Sequence, residues 1–551
     1  MANDLSYITI AEAARLIASR QLSPVELTEA KLERIAALDP QLNAFITVTA
    51  ETALQQARTA EAEIAGGRHH GPLHGVPYAL KDIYATAGIL TSGHSKICQH
   101  NVPSEDAAVT SRLAYAGGVL LGKLSTNEFA HGGPSFDGPW PPARNPWNPQ
   151  HFTGGSSTGA GAAVAAGFVP GAMGTDTGGS VRNPAACCGT VGLKPTYGLV
   201  SRYGVIPNSF TFDHCGPLTW TVEDCAIMLQ AIAGYDARDG GSVRCDIPDY
   251  RAGLTPDLSG LRVGVMRHFW EEDLKVTDEV ARAMDAAVDV LRTLGASTHD
   301  VRMRPLQDYT DVKMTIAETE LFAIHQKELM DRPGDFGLPF LSGTLAGCLF
   351  NAVEYVQAQR VRRQILAEME PLYERYDVLL TASSAPAPRF DRISPVRSWI
   401  GPNIHTVFNV TGGPALVLCN GYSSSGLPLA MQIAGQPFND AMVLRAAYAY
   451  EQATQWRDRR PELEPNRLRV EVTPPSATSG VPVEQSVRDW VEAQAQRCGV
   501  RLNDIQLTLL GEVAPYARAM AERLCRRFDR SVEPANVFRF RTSGSGAVGK
   551  E

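Results

Sequence analysis

At 551 residues the chain is long enough for more than one domain, and its 44% hydrophobic content is that of a globular protein. Its 51 Lys and Arg against 59 Asp and Glu leave a net charge of -8 with no long run of one sign, which argues against a nucleic-acid surface or an anionic membrane as partner. No segment reaches the roughly 18 apolar residues of a membrane helix, no basic and apolar leader opens the chain, and the ten cysteines show no C-x-x-C pair; a cytoplasmic chain without disulfides or a zinc site is expected.

Two helices open the chain with start signals in their side chains. Thr9 with Glu12, and Ser23-Pro24 with Glu26, read as capping boxes, the second with proline at the first helical position. Leu27, Ala30, Leu32 and Ile35 give that helix an inward face, and a third helix is predicted over 50–65, stopped by Gly66-Gly67. From Gly75 the pattern shortens to strand length. Val76-Pro77-Tyr78-Ala79-Leu80 delivers Lys81-Asp82 at its end, and a lysine there is unusual because ammonium groups are rarely buried unpaired. Gly117 to Lys123 follows the phosphate-loop pattern as far as Gly122-Lys123, but Leu124 stands where the motif needs Ser or Thr and no helix opens there, so a nucleotide site is rejected.

Two glycine-framed serine clusters follow, Gly154-Gly155-Ser156-Ser157-Thr158-Gly159 and Gly174-Thr175-Asp176-Thr177-Gly178-Gly179-Ser180-Val181-Arg182, with an Ala-rich run over 160–171 between them that is predicted as helix. Gly192 to Pro217 reads as ordered loops and short strands, 261–266 as a buried strand, 277–294 as an amphipathic helix, and 376–382, 415–420 and 429–434 as further strands. Strands alternating with helices predict an α/β fold, a mixed sheet covered by helices on both faces. Residues 305–365, richer in helix formers and charge, are the expected place for substrate-specific elements. The Pro- and Ser-rich run from Thr473 to Pro482 reads as a linker. Beyond it Val487, Trp490, Val491 and Ala495 share one helical face, and Leu510, Val513, Ala517, Met520, Leu524 and Phe528 another; such a pair cannot bury both faces alone. The division expected is a catalytic domain over 1–470, a linker over 471–482, a small all-α appendage over 483–541 and a disordered tail over 542–551.

Glycine beside serine lets a bound atom approach backbone amides, which suits an oxyanion site. An amide is a poor electrophile with a poor leaving group, so its hydrolysis needs a nucleophile, a base, a proton route to the departing nitrogen and donors for the oxyanion. Two readings compete. Gly155-Ser156-Ser157-Thr158-Gly159 fits the G-x-S-x-G elbow, with His131-Gly132-Gly133 upstream as a faint oxyanion loop, but an elbow follows a strand and 144–151, with Pro146 and Pro149, is not expected to form one. In the second reading Ser180 is the nucleophile, Ser156 the proton relay and Lys81 the base, a Ser-Lys variant of the triad. Lys81 must then be neutral, which burial achieves by disfavouring the charged form. Asp82 and Asp176 must be turned away or engaged, Asp176 with Arg182. The amides of Thr177, Gly178, Gly179 and Ser180 are the expected oxyanion donors, with Gly155 and Ser157 in support.

Gly75-Val-Pro-Tyr-Ala-Leu-Lys81-Asp82, Gly154-Gly-Ser156-Ser157 and Gly174-Thr-Asp-Thr-Gly-Gly-Ser180-Val-Arg182-Asn-Pro-Ala resemble the amidase signature family in order and interval. Gly192-Leu-Lys-Pro-Thr196 and Phe408-Asn-Val-Thr-Gly-Gly-Pro-Ala415 extend the likeness over about residues 5–465. The resemblance implies a hydrolase without metal or cofactor, with a mixed sheet wrapped by helices, Ser180 acylated, Ser156 held by a cis peptide after Gly155, and Lys81 as base. The sequence departs from the family at Thr158-Gly159-Ala160, where Gly-Gly-Ser is usual, and at Trp220, where arginine is common. The tail segments Val491-Glu-Ala-Gln-Ala-Gln and Glu533-Pro-Ala-Asn-Val-Phe-Arg resemble the small helical domain that accompanies some of these enzymes, fused or as the small subunit of carboxybiuret hydrolase. That likeness implies a small amide, carbamate or ureido substrate and an appendage packed on the catalytic domain or at a dimer interface. The expectation is a free-standing amidohydrolase of a small-molecule amide, a homodimer with no nucleic-acid or membrane partner; the runner-up is the glutamine-hydrolysing subunit of a tRNA-dependent amidotransferase.

Overall fold

The computed structural model describes residues 5–383, 386–465, 470–525 and 528–535. Its strands are β1 (Phe45–Val48), β2 (Pro77–Lys81), β3 (Val119–Leu124), β4 (Arg144–Asn145), β5 (Asn148–Phe152), β6 (Gly171–Asp176), β7 (Val191–Lys194), β8 (His214–Thr219), β9 (Arg262–Val265), β10 (Ser297–Asp300), β11 (Val378–Ala382), β12 (Ala415–Tyr422) and β13 (Pro428–Gly435). Among the described residues one eleven-stranded sheet runs in the order β1-β3-β2-β6-β8-β7-β12-β13-β11-β9-β10, and β4 and β5 form a separate ribbon. β2 is parallel to both β3 and β6, and β9 to both β10 and β11, whereas the central strands from β6 to β13 pair antiparallel. The sheet is therefore mixed, the amidase signature arrangement the sequence implies.

Strand side chains sort by parity, as a pleat demands. Tyr78 and Leu80 of β2, Met173 of β6, Leu416 and Leu418 of β12 and Met431 and Ile433 of β13 enter one apolar core, while Ala79, Ala172, Val417 and Ala430 enter a second on the opposite face. Both faces are thus roofed by helices, and no strand of the central sheet needs to meet water. Lys81 shares the parity of Ala79, which aims it at the face covered by the Thr158–Ala165 helix.

The opening helices start where their side chains dictate. Thr9 accepts from the Glu12 amide at 3.0 Å ahead of Ile10–Ala18, and Ser23 accepts from Val25 and Glu26 ahead of Pro24–Leu42. Ala50–Ala65 ends at Gly66. The structure differs from the sequence reading over 160–171. There the helix is Thr158–Ala165 only: Gly167 turns the chain at φ +72°, and Gly171 is already claimed by the ladder to β2. It differs also at 144–151, where β4 and β5 form a hairpin despite two prolines. The ribbon stands outside the central sheet, the outer edge of β5 is bridged at His151 to Arg389, and Pro149 falls at none of the paired positions.

Past the linker, Gln485–Arg497 and Asp504–Leu524 are helices. Val491, Ala495, Leu510, Val513, Ala517 and Met520 share a buried cluster with Leu321 of the Leu306–Asp331 helix and Phe340 and Leu341 of Leu338–Thr344. Arg523 adds a bidentate pair to Asp311 at 2.6 and 2.8 Å. Trp490, expected on the buried face, is 38% exposed, because the seam follows the i, i+4 row of Val487, Val491 and Ala495 and the indole lies at its border. The tail expected over 542–551 lies outside the described residues, as does 536–541. Among the described residues no helix is long and apolar enough to cross a membrane, and the ten cysteines are all free thiols.

Candidate active site

β2 and β6 run side by side in the same direction, with Leu80 opposite Met173, so both chains leave the sheet at the same edge. Clefts outside the carboxyl ends of parallel strands are where α/β sheets bind ligands. Here that edge presents Lys81 from β2 and Thr175 from β6. Lys81 Nζ lies 2.7 Å from Ser156 Oγ and 2.9 Å from Thr175 Oγ1, and the side chain is fully buried. Burial pushes its ammonium down to about 7, although the charges of Asp176 and Asp213 work in the other direction. Asp82 is turned to other partners, the amide and hydroxyl of Ser92 at 2.9 and 2.5 Å and the ammonium of Lys123 at 3.5 Å. Ser156 follows a cis peptide from Gly155 and precedes the Thr158–Ala165 helix. The serine that would serve a G-x-S-x-G elbow is Ser157. It is fully buried, and its Oγ is bonded to both the amide and the carbonyl of Thr175 at 3.2 Å, so it cannot attack a substrate. Its amide donates to Ser180 O at 3.2 Å and ties the two clusters together.

The second cluster is folded around Asp176. That carboxylate accepts from the amides of Gly179 at 2.8 Å and Val181 at 3.1 Å, from Arg182 Nε at 3.0 Å and Nη2 at 2.9 Å, and from Asn409 Nδ2 at 2.9 Å. Burial alone would raise its pKa, but the Arg182 charge and these donors hold it well below the ordinary carboxylate range. Arg182 in turn reaches Gln432 Oε1 at 2.6 Å and Asn409 Oδ1 at 2.7 Å. Gly179 takes φ +115°, and a Cβ there would lie 2.6 Å from His405 Cβ, so only glycine closes this turn.

One expected donor is corrected by this geometry. The Gly179 amide is spent on Asp176 and cannot serve an oxyanion. The amides of Thr177, Gly178 and Ser180 make no hydrogen bond within the described residues, and these three residues, unlike Gly179, line a cavity of about 700 Å³. Gly155, Ser156, Lys313, Glu318 and Asn403 also line it, and so does the linker segment 474–477. Asn403 Nδ2 donates to the Gly178 carbonyl at 3.1 Å. Thr175, Asn409 and Gln432 had no assigned part in the sequence reading, though Asn409 sits within the 408–415 segment that marks the resemblance. Lys313 lies in the 305–365 stretch, where substrate-specific elements are expected but the sequence singles out no residue.

An amidase family model matches residues 26–444. The chain belongs to the amidase family. Among relatives of this amidase, the A subunit of the glutamyl-tRNA(Gln) amidotransferase of Geobacter metallireducens is 40% identical over 483 residues, 82% of this chain and 98% of the relative. A chain from a vestigial protein complex described as revealing the evolutionary origins of an s-triazine catabolic enzyme superposes with a TM-score of 0.75 at 32% identity, covering 81% of this chain and 98% of its own. The peptide amidase of Stenotrophomonas maltophilia superposes with a TM-score of 0.71 at 30% identity over 84% of this chain and 98% of its own. These findings overturn the expectation of a homodimer with no nucleic-acid partner, because the Geobacter relative, matched over nearly its whole length, is one subunit of an enzyme of glutamyl-tRNA(Gln). A mixed surface charge bears only on direct phosphate contact and not on membership of such an assembly. The apolar face that suggested a dimer is covered instead by the chain's own Leu306–Asp331 and Leu338–Thr344 helices.

Proposed function

We propose that this amidase hydrolyses the C–N bond of a carboxamide through an acyl-enzyme on Ser180. The observation that carries the reading is the 2.7 Å contact between Ser156 Oγ and a buried Lys81 amine whose pKa is near 7. In this scheme Ser180 Oγ attacks the carbonyl carbon, its proton passes to Ser156, and the Ser156 proton passes to Lys81 Nζ. The amides of Thr177, Gly178 and Ser180 hold the oxyanion; a lost donor of this kind costs about 2.7–4 kcal/mol. Collapse breaks the C–N bond, the departing nitrogen takes the proton back along the same path, and water then releases the acid from Ser180. In this reading residues 1–470 are the catalytic unit, and the helices Gln485–Arg497 and Asp504–Leu524 an accessory to it.

Two amide classes fit. The Geobacter relative favours glutamine, with ammonia passed on inside a complex. A small amide hydrolysed by the chain alone is favoured by the fused helices, whose apolar faces pack on the chain's own helices, and by the segment 474–477, which lines the cavity. Released ammonia or amine, measured for the purified chain on glutamine and on aliphatic, aryl and ureido amides, separates the two. Ser180→Ala is expected to lower turnover at least ~10³-fold; an active variant would sink the assignment.

A further inference from the structure

The wall of the cavity that Ser156 and Ser180 line also carries a cation that the proposed chemistry does not use. Lys313, on the Leu306–Asp331 helix, lines the cavity with only 8% of its surface exposed. Its Nζ has Glu318 Oε1 at 3.4 Å and the Met314 sulfur at 3.6 Å. Charge-assisted N–H···O bonds close to about 2.7–2.9 Å, so this carboxylate contact is long and the three donors of the ammonium are poorly used. Glu318 is itself shared: its other oxygen lies 3.2 Å from His131 Nε2. A salt bridge built only for stability would close further, since a buried ammonium with unused donors is costly.

The position is as telling as the pairing. A Cβ on Gly178 would stand 3.2 Å from Lys313 Cε, so the lysine leans directly on the loop that presents the oxyanion amides. The other charged groups on this cavity are accounted for. Lys275 is exposed at the rim, Asp137 is exposed and tied to Ser135 Oγ at 2.5 Å and the Leu338 amide at 3.1 Å, and Glu318 divides itself between Lys313 and His131. The helix that carries Lys313 is braced two residues earlier by the Asp311–Arg523 pair from the C-terminal helices.

We propose that Lys313 binds a carboxylate of the substrate, and that this amidase selects amides bearing an anionic group near the scissile bond. The proposal rests on the amidohydrolase reading above and adds the substrate class; glutamine is one member of that class. Its test is a binding measurement that does not depend on turnover. Ser180→Ala protein is titrated by calorimetry with malonamate, succinamate, glutaramate and glutamine, and with the uncharged propionamide, butyramide and valeramide. At least one carboxylate amide is expected to bind about 10- to 100-fold more tightly than its uncharged counterpart. Adding Lys313→Met should remove that preference while leaving binding of the uncharged amide unchanged, and Lys313→Arg should keep part of it. Equal binding of both series, or binding of neither, overturns the proposal without any variant at Lys313. A loss that falls equally on charged and uncharged amides in K313M also overturns it, since that is the behaviour of a group serving the oxyanion. Absence of amide turnover by the wild-type chain would overturn hydrolysis by the chain alone and leave the binding proposal to be decided by the calorimetry.

Discussion

Lys81 is held where two demands conflict. As a base it must be neutral, yet Asp176 and Asp213 nearby favour its charged form, and burial decides the balance. Because the proposed base works only when unprotonated, kcat/KM for a neutral amide should rise about tenfold per pH unit below pH 7 and level off above it, checked by a pH–rate profile. The same shift has a stability consequence of definite sign. Unfolded, the lysine titrates near 10.5; folded, near 7. Between these values folding expels a proton, and below 7 the native state must bury an ammonium. Lys81→Met removes that cost, so its stability relative to wild type should be more favourable at pH 6 than at pH 9, with the difference fading as pH approaches 10.5. Urea titrations at the two pH values measure it; a constant difference would mean that Lys81 is not depressed in the folded chain. Lys81 was legible in the sequence because a cation at the end of an apolar strand demands a reason. The Gly179 donor was misjudged because an amide's availability depends on which acceptor the fold brings near it, and Asp176 reaches Gly179 only after the turn has closed.

Among elements, the Thr158–Ala165 helix bears most directly on the site, since Ser156 and Ser157 enter it. Gly159 abuts backbone: a Cβ there would lie 2.3 Å from Ala44 O and 2.6 Å from Ser125 N, neither of which can swing aside as a side chain can. Gly159→Ala should therefore cost about 1–3 kcal/mol in a denaturant titration and, by displacing the helix start, reduce turnover as well. Ala163→Gly on the same helix should cost about 1 kcal/mol of helix propensity and leave turnover intact. The departure at Thr158-Gly159-Ala160 thus falls at a tight contact. The strands 376–382, 415–420 and 429–434 were readable as short apolar runs, and each is lengthened or trimmed by only a few residues in the fold. The Ala-rich run was overextended because a fully buried segment loses the periodicity that separates helix from strand, and only the ladders to β2 and β8 decide that 171–176 is extended. The β4–β5 hairpin was missed for the opposite reason: proline forbids a central strand, and nothing local says that this pair stands apart from the sheet.

On the scale of the whole molecule, the two C-terminal helices pack into a buried cluster shared with helices earlier in the chain. Leu510 is fully buried between them and the Leu306–Asp331 and Leu338–Thr344 helices. Leu510→Asp places an unpaired charge there and should release the C-terminal helices, seen as rapid tryptic cleavage beyond residue 470. Because 474–477 line the cavity and Asp311–Arg523 braces the helix of Lys313, KM should rise in the same variant. Unchanged KM with the helices released would separate the accessory unit from substrate binding. The sequence by itself determined the fold class and singled out Lys81, Ser156 and Ser180 as candidates, because short motifs of glycine, serine and lysine at the ends of apolar strands are local statements that survive any packing. Which serine is buried, which amides remain free, what covers the C-terminal helices and that Lys313 faces the cavity were decided only by tertiary structure. Each depends on a neighbour distant in sequence: Thr175 for Ser157, Asp176 and His405 for the Gly179 turn, Phe340 for Leu510 and Glu318 with Gly178 for Lys313.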